Sequence, residues 1–187
     1  MSVQERRARE RADRHERIVA TARELAEEQG WEAVTTRRLA DRIEYSQPVL
    51  YGHFPGGKDE IVAAVALEGF ADLARALRAA VEGRAGSAAV AALTDAYLDF
   101  AAARPAVYAA MFDLAALPFA AADTPAAMRA GFEAVRTALG GDDESAEVGW
   151  ATLHGLATLR RAGRLPAATE RRRRERVVDL LTGAPAR

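Results

Sequence analysis

The chain contains no cysteine, a single lysine and almost no net charge. Without cysteine it forms neither disulfides nor thiolate metal sites, and thiol catalysis is excluded. The formal net charge of −1 argues against a protein that coats nucleic acid in bulk, because such proteins are strongly basic. A local cluster of basic residues that contacts nucleic acid is still compatible with this net charge.

Long apolar runs are also missing. No window reaches the uninterrupted apolar length of a membrane span. The N-terminal residues mix arginines with acids and do not form the apolar core of a signal peptide. We therefore expect a cytoplasmic protein with no membrane partner.

Hydrophobic residues make up 50% of the chain, and alanine dominates them. Strand-forming residues are sparse and show no alternating pattern, which favours an all-α fold of about nine helices. A chain of 187 residues has room for a small domain fused to a larger one.

Residues 35–54 predict a helix-turn-helix. Leu39 and Ile43 lie four apart on one face of a short helix, and a serine after the turn offers an N-cap to a second helix. Leu50 and Phe54, again four apart, would pack the second helix on the first. The residues left facing outward or sideways on the second helix are Gln47, Val49, Tyr51, Gly52 and His53.

Two arginines occupy the first turn of the first of these helices. Thr35 or Thr36 caps it, so Arg37 and Arg38 lie at the end where the helix dipole prefers acids. Either an external anion, for which DNA phosphate is the obvious candidate, or a surface ion pair with Asp41 accounts for them.

The first twelve residues are charged and show no helical pattern, so we expect a mobile arm. This arm is either a solvated tail or a segment whose arginines reach phosphates or the minor groove beside the second helix of the motif. The first helix is expected from Asp13 to Gly30, where the glycine acts as its C-terminal cap.

The run from Ile18 to Ile61 resembles the DNA-binding domain of the tetracycline-repressor (TetR/AcrR) family. The matching positions are Ala22 to Gly30, Thr35, Leu39-Ala40, Ser46, Leu50-Tyr51, His53-Phe54 and Lys58. The family usually has glycine in the turn where this chain has Glu44, so either a left-handed residue is tolerated or the turn is built differently. The candidate DNA contacts are Thr36, Arg37, Arg38, Ser46, Gln47, Pro48, Val49, Tyr51, His53 and Lys58. For Lys58, it is the resemblance that implies a contact with a backbone phosphate.

The resemblance implies a two-domain regulator. A helix-turn-helix DNA-binding domain would span residues 1–55, with the arm over 1–12, and an effector-binding and dimerisation domain would span 56–187. The protein would bind a palindromic double-stranded DNA operator as a homodimer, and most often repress transcription until a small ligand alters the spacing of its two DNA-binding heads. The main alternative is a helical ligand-binding or scaffolding protein that no longer binds DNA.

Aromatic and methionine side chains are frequent in the C-terminal part. Each one alone is expected in the core, but together with the surrounding alanines they suggest a mostly apolar pocket for a small apolar or amphipathic effector. The candidate pocket residues are Tyr97, Phe100, Tyr108, Met111, Phe112, Phe132, Trp150 and His154. The segment Trp150-Ala-Thr-Leu-His154-Gly155 also resembles a C-terminal subgroup of the family named for its Trp, His and Gly.

The last two predicted helices carry apolar residues with little else to pack on. An apolar helix side left in water is unfavourable by about 25 cal/mol per Å², so a partner surface is expected. By the resemblance, the partner is the same pair of helices in a second subunit. The expected interface residues are Leu153, Ala157, Val177, Val178 and Leu181.

No set of residues predicts catalysis, a metal site or a cofactor. The three histidines lie on different predicted helices, and no serine sits in a nucleophile elbow. The Gly-x-x-x-x-Gly-Lys pattern that starts at Gly52 lacks the Ser/Thr and the preceding strand of a phosphate-binding loop. The acids at 142–144 are expected to cap a helix. We therefore expect a protein that is not an enzyme.

Overall fold

The computed structural model describes residues 2–118 and 122–183. Nine α-helices and no strand occur in these ranges, which confirms the predicted all-α fold. The helices are α1 (Val3–Gln29), α2 (Thr36–Ile43), α3 (Gln47–His53), α4 (Lys58–Val81), α5 (Gly86–Ala103), α6 (Pro105–Ala109, continued by a π-helical turn over Ala110–Leu114), α7 (Ala126–Ala138), α8 (Asp143–Arg161) and α9 (Glu170–Thr182). None of them combines the length and the apolar character that crossing a membrane requires.

The chain forms two compact units. Of the described residues, the first holds those up to Gly69 together with Ala106–Leu117, and the second holds Phe70–Pro105, Pro118 and residues 122–183. The predicted boundary at residue 55 therefore falls inside the first unit, and the functional division at that point stays a prediction. The predicted end of the second domain, at residue 187, lies outside the described residues.

Helix α1 starts well before the residue predicted from the sequence. The Ser2 hydroxyl accepts a hydrogen bond from the Glu5 backbone N–H at 3.2 Å, and the Glu5 carboxylate accepts one from the Ser2 N–H at 2.7 Å. This reciprocal capping box stabilises a helix start at Val3. The expected helix start at Asp13 is therefore wrong, because residues 3–12 belong to α1; the mobility of this arm stays a prediction. The buried residues farther along α1 are Ile18, Val19, Thr21, Ala22, Leu25 and Ala26.

The turn between α2 and α3 contains a left-handed residue. Thr35 caps α2 by accepting a hydrogen bond from the Arg38 N–H at 3.2 Å. Glu44 ends the helix at φ 57° and ψ 37°, with its N–H donated to the Ala40 carbonyl. Of the two alternatives for this turn, the structure therefore has the tolerated left-handed residue. The left-handed backbone of a non-glycine residue costs about 1 kcal/mol.

Helices α2 and α3 pack through the predicted apolar pairs. Leu39, Ile43, Leu50 and Phe54 are at most 2% exposed. Ser46 occupies the N-cap of α3, as predicted, but its side chain makes no capping hydrogen bond to that helix. The buried apolar contacts, and not the cap, therefore hold α3 in place.

The segment that returns to the first unit is hydrogen-bonded to the end of α1 and the turn after it. The Glu27 carboxylate accepts from the N–H groups of Ala106 at 3.1 Å and Val107 at 2.9 Å, in the first turn of α6. Trp31 Nε1 donates to the Ala106 carbonyl at 2.8 Å. A Cβ at Gly69 would lie 2.7 Å from Val107 Cγ1, so the glycine permits the close approach of α4 and α6.

In the second unit, α5 packs against α7, α8 and α9. Arg174 of α9 donates to two carboxylates of α5, Asp95 at 2.9 Å and Asp99 at 2.6 Å, and to Glu170 on its own helix at 2.8 Å. The Arg174 side chain is only 17% exposed. These charge-assisted hydrogen bonds fix α9 against α5.

Replacing Glu44 by glycine should stabilise the protein. Glycine adopts the left-handed conformation without the Cβ clash, so Glu44→Gly should raise the free energy of unfolding by about 1 kcal/mol. The midpoint of thermal unfolding should rise by about 2–4 °C for a chain of this size. Glu44→Ala removes the same charge but keeps the Cβ, and it should bring no such gain. Equal gains for both variants would attribute the effect to charge and not to the backbone.

Candidate nucleic-acid interface

Helix α3 faces the core with one side and solvent with the rest. Leu50 is 1% exposed, whereas Tyr51 is 48% exposed. The exposed residues of this segment are Ser46, Gln47, Pro48, Tyr51 and Gly52, and the half-buried ones are Val49 and His53. No residue of α3 carries a carboxylate, so this surface offers donors, an aromatic ring and apolar groups without repelling phosphate.

The two arginines at the start of α2 have different surroundings. The Arg38 guanidinium donates to Gln29 Oε1 at 2.6 Å and to the Ala33 carbonyl at 3.2 Å. Arg37 is exposed. Neither arginine forms an ion pair with Asp41 within the described ranges, so the alternative based on that pair has no support from the structure.

Lys58 lies at the start of α4 and is half-buried. Its Nζ donates to the Trp31 carbonyl at 2.6 Å. An ammonium group has three N–H donors, so this bond leaves two of them for an anion. No local sequence pattern predicts the contact with Trp31, because the two residues are far apart along the chain.

Helix α1 contacts the C-terminal end of α3. Arg11 Nη2 donates to the Gly52 carbonyl at 3.0 Å, and the ring of His15 stacks on Phe54 with centroids 4.6 Å apart. Burial, and then the positive charges of Arg11 and Arg14 and the neighbouring His15, lower the pKa of His53. These surroundings favour the neutral imidazole of His53, which can accept or donate a hydrogen bond without carrying charge.

A cavity of about 700 Å³ opens between α7 and α8 in the second unit. Its apolar wall contains Met128, Phe132 and Trp150, and the rings of Phe132 and Trp150 lie 6.0 Å apart. The charged groups that line it are Arg129, Glu133, Arg136, Asp143 and Glu147. Glu133 and Arg136 pair through two hydrogen bonds of 2.8 and 2.9 Å. An aromatic wall with a charged lining suits an amphipathic molecule.

Only two of the eight residues predicted for the effector pocket, Phe132 and Trp150, line this cavity. Tyr97 is buried beside Trp150, with ring centroids 6.4 Å apart. Two other residues predicted for the pocket lie in the second unit: Phe100 is buried and His154 is half-buried. The remaining three, Tyr108, Met111 and Phe112, lie in the first unit. The charged lining was missed, although Arg129, Glu133 and Arg136 recur at helical spacing on α7.

The residues predicted for the dimer interface differ in how deeply they are buried in the single chain. Leu153, Ala157 and Val177 are at most 5% exposed within the single chain, so their side chains belong to the core of the second unit, and placing them at a subunit surface needs correction. Val178 and Leu181 are half-buried. The exposed large apolar residues of α8 and α9 are Val148, Leu159 and Leu180.

The acids at the start of α8 cap that helix. Asp142 Oδ1 accepts a hydrogen bond from the Ser145 N–H at 2.7 Å, and this bond lowers the pKa of Asp142. Among the residues that the structure describes, no group of three or more His, Asp or Glu side chains is arranged to hold a metal ion.

Two family models match the chain. One, described as "Bacterial regulatory proteins, tetR family", matches residues 18–65, and one described as "Tetracyclin repressor-like, C-terminal domain" matches residues 90–183. The first match covers the helix-turn-helix, and the second covers most of α5 to α9. The resemblance to the Trp-His-Gly subgroup stays a prediction.

Sequence relatives and a solved structure are similar to the chain. It is 33% identical over 93 residues to the uncharacterized HTH-type transcriptional regulator YobS of Bacillus subtilis (strain 168), covering 50% of this chain and 48% of YobS. It is 51% identical over 39 residues to tetracycline repressor protein class C of Escherichia coli, covering 21% of this chain and 18% of that protein. The matches therefore span about half, or less, of these curated relatives. A protein of unknown function from Rhodococcus sp. RHA1 has a structure similar to this one, with a TM-score of 0.75, 28% identity and coverage of 92% of this chain and 95% of that one.

The lowered pKa of His53 predicts a loss of stability in mild acid. The folded state favours the neutral imidazole, so as the pH falls below about 6.5, the unfolded chain takes up the proton first. The stabilisation is complete above that pH and is lost as the pH falls towards the lower pKa of the folded state. His53→Gln should therefore show a smaller drop in unfolding free energy between about pH 7.5 and 5.5 than the parent, measured by urea denaturation. An equal drop in both proteins would contradict the role of His53.

Proposed function

Because the chain belongs to the tetracycline-repressor family of transcriptional regulators, we propose that it binds a palindromic double-stranded DNA operator as a homodimer. In this proposal the cytoplasmic protein represses transcription until a small apolar or amphipathic effector releases it. The observation that carries the proposal is the exposed, carboxylate-free surface of α3, which is held on the buried side chains of Leu50 and Phe54.

The proposed DNA contacts combine base and phosphate contacts. Gln47 and Tyr51 project from α3 toward solvent, where an amide can bond a base edge and a phenol can bond a phosphate or pack on a thymine methyl. Arg37 at the start of α2 and the free donors of Lys58 supply positive charge for the backbone. The remaining proposed contacts are Thr36, Arg38, Ser46, Pro48, Val49 and His53.

The proposed dimer interface lies on the outer side of α8 and on α9. Val148, Thr152, Gly155 and Leu159 recur along one side of α8, opposite the buried Leu153 and its neighbours. A Cβ at Gly155 would meet nothing within 4 Å in the single chain, yet a glycine inside a helix costs about 1 kcal/mol. A second α8 that packs closely against this one would explain the glycine at this position. The exposed Leu180 of α9 adds apolar surface to the proposed interface.

The proposed effector site is the cavity between α7 and α8. Phe132 and Trp150 would contact the apolar part of a ligand, and Arg129 and Glu147 on the lining would contact its polar part. Because α8 would also form the dimer interface, a ligand bound there would act on the element that sets the distance between the two α3 helices.

Truncation of the exposed α3 side chains should weaken operator binding. Gln47→Ala and Tyr51→Ala should each cost about 1–3 kcal/mol, as expected for a base contact, without lowering the thermal unfolding midpoint. Tyr51→Phe keeps the ring and separates its packing from a hydrogen bond of the phenol. The measurement is fluorescence anisotropy with a duplex that the parent protein enriches from a random-sequence library.

Unchanged affinity in both alanine variants would remove α3 from the interface. If the parent enriched no duplex and showed no salt-dependent DNA binding, the alternative of a helical ligand-binding or scaffolding protein would replace the proposal.

Charge placed on the outer side of α8 and α9 should separate the subunits. Leu180→Glu, alone or combined with Val148→Glu, would bury an unpaired carboxylate at the interface and should give a folded monomer that binds DNA weakly. Ala88→Glu, at an exposed position of α5, is the matched control and should remain dimeric. Light scattering and operator titration on the same sample decide the result, and a dimeric Leu180→Glu/Val148→Glu variant would refute this placement.

A further inference from the structure

We propose that Arg7, Arg11 and Arg14 form an arginine stripe on α1 that binds backbone phosphates of duplex DNA beside the half-site contacted by α3. The inference rests on the proposed function, because it assigns a second contact surface to the same DNA.

The helical period defines the arginine stripe. Arg7, Arg11, Arg14 and Ile18 follow one another at spacings of four, three and four residues, which place them on one side of α1. Ile18 is 0% exposed and lies in the core of the first unit. The same side of the helix therefore changes from apolar to basic toward the N-terminus. The acids of this part of α1 lie off the line, at positions 5, 10, 13 and 16.

Arg11 places the arginine stripe beside α3. Its Nη2 bonds the Gly52 carbonyl, one of the last carbonyls of α3, where a cation also suits the helix dipole. One turn farther along α1, His15 stacks on Phe54 at an interplanar angle of 25°. These two contacts place this part of α1 beside the C-terminal end of α3. The arginine stripe therefore starts next to α3, and in the proposal it meets the duplex that α3 binds.

Arg7 is the outermost member of the stripe and is available to a ligand. It is exposed, lies about 6 Å beyond Arg11 along the helix, and has no hydrogen bond or ion pair with any residue in the described ranges. Its neighbour Arg6, in contrast, lies 3.8 Å from the Glu10 carboxylate. A guanidinium without a carboxylate partner keeps its five N–H donors for phosphate oxygens.

The charge of this part of the chain agrees with a phosphate ligand. Residues 3–17 contain six arginines and four acids, whereas the whole chain has a net charge of −1. The capping box of Ser2 and Glu5 holds the segment helical up to its first turn. Arg7 is therefore carried on a formed helix, so less conformational entropy is lost on binding than with a disordered arm.

The test compares Arg7→Gln with Arg9→Gln in the full-length protein. Both changes remove one positive charge from the exposed part of α1, but Arg9 projects from the side opposite the arginine stripe. Each variant is titrated, over a series of KCl concentrations, into the parent-enriched duplex extended at both ends by arbitrary sequence. Gln47→Ala is included because its loss of affinity reports on the proposed function alone.

Arg7→Gln should reduce the slope of log K against log salt by about 0.9 for each half-site, or about 1.8 for a dimer on its full operator. The loss should be the same for every flanking sequence, because phosphates carry no sequence information. Arg9→Gln should keep the slope of the parent. Arg7→Lys should retain most of the slope, since an ammonium also binds phosphate as a point charge.

Equal salt slopes for Arg7→Gln and Arg9→Gln would overturn phosphate binding by the arginine stripe. If Gln47→Ala lost affinity for the duplex in the same experiment, the proposed function would still stand. A change in the preferred flanking bases at an unchanged slope would indicate contact with bases and would overturn the phosphate assignment. A parent protein that enriches no duplex would overturn both proposals.

Discussion

Burial of one side of α1 is the constraint on which the first unit depends. Ile18 and Leu25 are at most 1% exposed, and each contributes about 1.5–3 kcal/mol by leaving water. Helix α2 packs on α1, and α3 packs on α2. The position of α3 therefore depends on α1, and the contact of His15 with Phe54 joins α1 and α3 a second time. A short helix such as α3 would not be stable without these contacts.

The second constraint is polar and joins α1 to α6. The Glu27 carboxylate satisfies two N–H groups at the start of α6, and Trp31 bonds the Ala106 carbonyl. Hydrogen bonds to a charged group contribute about 1.5–3 kcal/mol each, so α6 would move only by breaking them or by moving α1. Lys58 holds the same turn through the Trp31 carbonyl. In the proposed function, a displacement of α6 would thus act directly on the helix that positions α3.

Structural features that depend on local periodicity can be predicted from this sequence, whereas features that depend on tertiary contacts cannot. The spacing of Leu39, Ile43, Leu50 and Phe54 identifies the helix-turn-helix because each pair lies one turn apart. The start of α1 was missed because the Ser2–Glu5 capping box outweighs the lack of an apolar pattern. On α8, apolar and small residues occur on opposite sides, so periodicity alone did not separate the buried Leu153 from the outer Val148. The return of 106–117 to the first unit joins residues distant in sequence, which no local pattern encodes.

The acidic net charge is compatible with a phosphate-binding surface because many carboxylates are committed to protein partners. Glu27 bonds α6, Glu28 forms two hydrogen bonds of 2.8 and 2.9 Å with Arg42, and Asp95 and Asp99 hold Arg174. Positive charge on α1 and α2 is left near α3. A net charge of −1, however, provides little long-range attraction for DNA. Salt screens the remaining electrostatic attraction beyond about 8–10 Å. In the proposed function, the free energy of DNA binding therefore comes from short-range contacts. Those contacts would require the position that α1 gives to α3.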